Sequence, residues 1–391
     1  MGMDNHSALQ TKRHAPIVVP EQSLCPPYDV REEITWIDFS GTENPFGTPK
    51  PFVRVMGDAL VQGVMSYQPD REAHALRSVL ARIFGMPVES FLVGSTVSNM
   101  VSAVAQAFEP CKVGVSTPCP IEYILALGNT GHVIEGISSP GSFITPAADV
   151  LEAREFDIDA ALLANPSYPA SRLLAKPTLV SYLERCDWVI VDERSIELTL
   201  GGESMAPLVQ EYRNLIVIQS FSEQYAMPGA HVSYCIAHPD TIAEISRFFD
   251  NSCVSMFSEV LAEVAGAEYP KLDSVRDFLY SEIPWMQCML SLVPGIDIFP
   301  AEANYVMCSF HNGGDLKLAV SNVDDLSSRL QLEGFLIRKL AGTPGLAHNG
   351  YFCVSVRTRH DNEQLIAALR RIVSPSHAPG DADATYHGKR R

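Results

Sequence analysis

A chain of 391 residues with 46% apolar and 19% charged residues is long enough for one large and one smaller domain, and its composition is neither fibrous nor disordered. The formal net charge of -17 argues against a nucleic-acid groove, and no uncharged apolar run reaches the roughly 18 residues that a membrane-spanning helix needs. Nine scattered cysteines without CxxC pairs or zinc-like histidine spacing point to neither a disulfide framework nor a metal site, so a reducing cytoplasm is expected.

Residues 1–50 read as a proline-containing N-terminal arm without the apolar segment of a secretory signal. Apolar residues at helical spacing predict a helix from Glu72 to Phe84, stopped by Gly85. Short β-branched runs then recur at Phe91–Val93, Val113–Ser116, Ala161–Ala164, Trp188–Val191, Leu215–Ile218 and Val232–Ala237. Helical stretches lie between several of them, including Asn99–Phe108, Pro177–Cys186 and Thr241–Phe249. This alternation predicts an α/β large domain over 51–270, a mostly parallel sheet between helices, with ligands bound at the carboxyl ends of its strands.

From 271 the texture changes. A helical stretch from Leu272 to Leu292 is expected to kink or break at Pro284. Strand character over Ile296–Phe310, a helix at Val323–Glu333, strands at Phe335–Lys339 and Tyr351–Thr358, and a helix at Asn362–Val373 make a smaller α+β domain over 271–373. Residues 374–391, ending in Lys389-Arg390-Arg391, read as a solvated tail.

Several segments, in order, carry a resemblance. Ile37-Asp38-Phe39-Ser40 followed by Glu43-Asn44-Pro45-Phe46-Gly47 is similar to a "DFS..NP.G" opening, and Tyr67-Gln68-Pro69-Asp70 to a "YPDP" turn. Asn165-Pro166-Ser167-Tyr168-Pro169 resembles "NPNNP", Val191-Asp192-Glu193 resembles "VDEAY", and Ser220-Phe221-Ser222-Glu223-Gln224-Tyr225-Ala226-Met227-Pro228-Gly229 resembles "SLSK.YA.PG". Ala303-Asn304-Tyr305 and Val356-Arg357-Thr358 match small-domain signatures. Together they resemble the histidinol-phosphate aminotransferase and threonine-phosphate decarboxylase branch of the fold type I enzymes that use pyridoxal phosphate (PLP). The resemblance implies that fold, and by analogy a homodimer with Tyr67 reaching the cofactor phosphate of the partner subunit.

It also exposes departures. PLP enzymes of this kind need a lysine to form the Schiff base, and its place is taken by Glu223. The family's phosphate-clamping arginine corresponds to His231, its ring-hydroxyl asparagine to Tyr168, the tyrosine of "VDEAY" to Ser195, the stacking aromatic to Pro120 and the substrate arginine to Cys353. The glycine-rich phosphate loop reads Gly94-Ser95-Thr96-Val97-Ser98-Asn99. Asp192, Tyr67, Ser220 and Ser222 keep cofactor-compatible identities as vestigial cofactor positions, and Asp192, without a pyridine partner, is expected to hold its proton more strongly than usual.

The sequence therefore predicts that covalent PLP binding has been lost and that no cofactor is used. Glu223, His231 and Tyr168 become candidates for acid/base chemistry on a small-molecule substrate, in a cyclisation, dehydration, isomerisation or condensation. Two alternatives stand beside it: a non-catalytic partner of an active homologue, and an unusual enzyme holding PLP without a covalent link over Asp192.

Overall fold

The computed structural model describes residues 36–374 apart from 140, 153–156 and 314–317. The basic tail and most of the N-terminal arm thus lie outside the described residues. In chain order the strands are β1 (Ile37–Phe39), β2 (Phe91–Gly94), β3 (Lys112–Val115), β4 (Val133–Gly136), β5 (Ala160–Ala164), β6 (Trp188–Asp192), β7 (Leu215–Ser220), β8 (Ser233–Ala237), β9 (Ile296–Ile298), β10 (Tyr305–Phe310), β11 (Phe335–Lys339) and β12 (Tyr351–Ser355). The helices are α1 (Lys50–Val61), α2 (His74–Phe84), α3 (Val97–Ala107), α4 (Ile121–Asn129), α5 (Ala148–Glu152), α6 (Lys176–Leu183), α7 (Phe221–Gln224), α8 (Pro239–Ile245), α9 (Phe257–Glu268), α10 (Leu272–Ser291), α11 (Val323–Leu332) and α12 (Arg359–Val373).

A seven-stranded sheet in the order β2-β8-β7-β6-β5-β3-β4 carries the large domain. Strands β4, β3, β5, β6 and β7 run parallel, and β8 is antiparallel to both β7 and β2. The central strands β5 and β6 are buried along their whole length. That is why they read as continuous apolar runs rather than as alternating patterns. Their carboxyl ends, with that of β7, point to one edge of the sheet and deliver Asp192 and Ser220 there.

The second sheet has the order β1-β11-β12-β10-β9. Strand β1 pairs in parallel with β11, Ile37 against Phe335 and Phe39 against Ile337, so part of the predicted arm belongs to the C-terminal sheet. Helix α10 is not broken at Pro284 but continues through it. Pro284 and Tyr280, whose carbonyl loses its donor, both face solvent, the side on which helical hydrogen bonds open to water. Among the described residues no helix is long and apolar enough to cross a membrane.

Candidate active site

The residue at the end of β6, Asp192, is only 4% exposed. A buried carboxylate needs a partner, and Arg194 supplies it from two residues on. Its Nε donates to Oδ2 of Asp192 at 2.8 Å, its Nη2 lies 2.7 Å from the same oxygen, and its backbone N–H donates to Oδ1 at 3.0 Å. The Tyr123 hydroxyl of α4 also donates to Asp192 Oδ2 and accepts from Arg194 Nη2 at 3.0 Å. The guanidinium carbon sits 5.9 Å from the Tyr123 ring centroid, within cation–π range. Asp192 is thus not the partnerless acid that the sequence suggested. Sequence reasoning passed over Arg194 and Tyr123 altogether, although a long cation beside a strand-end acid in an apolar segment was a usable signal.

Adjacent Glu193 points the other way, into the interior. It accepts from the Met205 backbone N–H at 2.7 Å, the Ser204 hydroxyl at 2.5 Å, Gln219 Nε2 at 3.0 Å and Asn165 Nδ2 at 3.3 Å. Burial pushes its carboxyl up despite these donors. Its role is to fasten the loops behind the site. Glu193→Ala leaves these donors unpaired and is expected to lower unfolding free energy by about 3 kcal/mol, measured by urea denaturation.

Glu223 sits in α7, a single turn that starts where β7 ends. Ser220 caps the turn, its hydroxyl accepting from the Ser222 N–H at 3.0 Å. The Asn44 segment clamps it from outside: the Asn44 N–H donates to the Glu223 carbonyl at 2.9 Å, Asn44 Nδ2 to the Gln224 carbonyl at 2.9 Å, and the Thr48 hydroxyl to the Ala226 carbonyl at 2.7 Å. Oε2 of Glu223 is buried without a hydrogen-bond partner. Burial raises its carboxyl to about 7, against the lowering pull of Arg194 and the Ser220 hydroxyl and with a further raising push from Asp192.

Tyr168 lines a cavity of about 190 Å³ together with Asp192, Arg194, Ser195, Tyr305 and Arg338. Its ring meets Tyr305 edge-on at 5.5 Å, and burial raises its hydroxyl well above the ordinary range. Pro120 and Glu43 line the same cavity, and burial also raises the Glu43 carboxyl. His231 lies elsewhere: it is exposed, has a left-handed backbone (φ 51°), and borders a separate, open depression with Ser95, Thr96 and Ser255.

The three residues grouped from the sequence are thus not brought together: Tyr168 lines the cavity, Glu223 is not among its lining residues although the charges of Asp192 and Arg194 act on it, and His231 faces a second space. Below His231 the start of α3 is closed by its own side chains. Thr96 Oγ1 accepts from the Asn99 N–H at 3.2 Å, and both Thr96 and Ser95 donate to Asn99 Oδ1. Tyr67 is 72% exposed, and Cys353 is core, its thiol pushed up to about 12 by burial. Among the described residues no group of three or more His, Cys, Asp or Glu is placed to hold a metal.

The chain is 28% identical over 353 residues to a threonine-phosphate decarboxylase of Salmonella typhimurium, covering 88% of this chain and 93% of that protein. It is 23% identical to a histidinol-phosphate aminotransferase of Caldanaerobacter subterraneus over 354 residues, covering 89% and 96%. By structure it is similar to the histidinol-phosphate aminotransferase of Clostridium acetobutylicum and to the L-threonine-O-3-phosphate decarboxylase of Porphyromonas gingivalis. Each superposes with a TM-score of 0.75 at 20% identity, over 86% of this chain and 98% of theirs. The model of the class I and II aminotransferases matches residues 34–372, so the chain belongs to that family and has its fold.

Proposed function

We propose that this family member works without PLP and uses Glu223 as a general acid/base on a small molecule, in a cyclisation, dehydration, isomerisation or condensation. The observation that carries this reading is the buried, unpartnered Oε2 of a carboxyl raised to about 7, at the position that the sequence resemblance assigns to the family's lysine. Three features argue that the residues present do not fit PLP. Among the described residues no lysine lines the cavity, the carboxylate that would face a pyridine nitrogen is already paired with Arg194, and hydroxyl side chains close the start of α3. Tyr168 and Arg194 orient the substrate in this reading, and His231 stands apart as a group of the outer depression.

The test is incubation of wild type and Glu223→Gln with a mixed metabolite extract without added PLP, followed by mass spectrometry. Wild type is expected to convert at least one species, and the variant to convert it on the order of 10²-fold more slowly. Equal rates would remove Glu223 from the chemistry. The separation of His231 from Tyr168 favours the second reading, a non-catalytic partner, and failure of wild type to convert anything would select it.

A homodimer in a reducing cytoplasm completes the proposal. Val53, Leu60 and Val61 of α1, with Met65 and Tyr67 just beyond, form an exposed apolar stretch suited to a second copy of this chain. Seven of the described cysteines are free thiols, as a reducing compartment would keep them. Val61→Asp is expected to halve the sedimenting mass; an unchanged mass would place the interface elsewhere.

A further inference from the structure

We propose that Arg194 is the chain's internal substitute for a protonated pyridine ring, a specificity-determining residue that closes Asp192 to PLP and disfavours an ammonium at position 223. The inference rests on the cofactor-independent reading and deepens it by naming what fills the seat.

A protonated ring nitrogen offers a strand-end carboxylate one positive charge and an N–H donor. Arg194 supplies both, through Nε at 2.8 Å and Nη2 at 2.7 Å from Oδ2 of Asp192. The other carboxylate oxygen accepts the Arg194 backbone N–H, so both oxygens are engaged before any ligand arrives. The planar guanidinium is held from a second direction by Tyr123, through its hydroxyl at 3.0 Å and its ring at 5.9 Å. A pyridinium approaching Asp192 must first displace this cation and break contacts that it cannot itself replace at Tyr123.

The same cation explains the neighbouring change. Arg194 pulls the Glu223 carboxyl down against the larger raising effect of burial, and in a poorly hydrated setting the same charge would oppose an ammonium at that position. Pyridinium and lysine have thus been exchanged together for guanidinium and glutamate, one cation and one proton-carrying group in each case. The two positions form a reciprocal pair, and restoring the lysine alone does not restore the seat.

The experiment is a PLP titration of wild type, Glu223→Lys, Arg194→Ala and the Arg194→Ala/Glu223→Lys double variant, read by imine absorbance and by the mass of the borohydride-reduced adduct. The double variant is expected to bind PLP at least ten-fold more tightly than Glu223→Lys and to carry the adduct at position 223. Equal affinity of these two variants, equal lack of binding included, would overturn the role of Arg194. An imine band in wild type would instead overturn the cofactor-independent reading, so the two failures are distinct. Arg194→Ser, which leaves room for water at Asp192, replaces the alanine variant if that chain does not melt cooperatively.

Discussion

Glu223→Gln is expected to be more stable than the wild type above neutral pH, and equally stable in acid. The folded carboxyl titrates near 7, whereas an exposed glutamate titrates near 4.5. Between those values the native state keeps a proton that the unfolded state releases, so wild-type stability falls as pH rises through the window and the loss is complete above about 7. The difference of about 7 less 4.5, at about 1.4 kcal/mol per unit, sets a ceiling of about 3 kcal/mol, and the partial solvent contact of the side chain brings it nearer 2. Glutamine has the same shape and no such proton. Melting curves at pH 8 should therefore favour the variant by a few degrees, and curves at pH 4.5 should coincide. A variant less stable at both pH values would mean that the carboxylate's interaction with the Ser220 hydroxyl or another native group outweighs the cost of burying its charge.

The Arg194–Asp192 pair should reveal itself through non-additivity. Arg194→Leu leaves Asp192 charged and nearly inaccessible, which costs about 2 to 3 kcal/mol, below the value for fully enclosed pairs because the arginine side chain is 26% exposed. Asp192→Asn removes the other partner at a similar cost. The double variant carries no uncompensated charge and is expected to lose less than the sum of the two by at least about 1 kcal/mol, as measured by urea unfolding. Strict additivity would show that the two side chains do not act as a pair.

Much of the fold was legible in the sequence because fully buried parallel strands leave continuous apolar runs, as in β5 and β6, and because Gly85 stops α2 with a left-handed φ of 64°. Strand β4 left no such run: it lies at the sheet edge, none of its residues is fully buried, and it includes Glu135 and Gly136. Helix α1 was missed because Pro49 and Pro51 crowd its start and Gly57 interrupts its pattern. Pairing of β1 with β11 joins residues almost 300 positions apart, which local periodicity cannot encode.

At the site, the motifs singled out Asp192 and Tyr168, which line one cavity, but could not give their partners. Asp192, Tyr168 and Glu223 were placed by motif, but a motif compares each residue with its own counterpart. Arg194 occupies an alanine place in the family pattern, and Tyr123 lies three residues beyond the proline aligned with the stacking ring. Their meeting over Asp192 depends on β6 and α4 converging at one edge of the sheet. His231, grouped with Glu223 from the sequence, faces the outer depression because its left-handed backbone ends the Pro228–Ala230 turn.

One proton, on the Glu223 carboxyl, decides the proposed chemistry. Infrared difference spectra of wild type minus Glu223→Gln, recorded across pH 4 to 9, isolate the carboxyl stretch of this single side chain. A protonated band persisting to a midpoint near 7 is the predicted result. A midpoint near the ordinary 4.5 would contradict it, leaving Glu223 a solvated carboxylate with no proton to give at neutral pH.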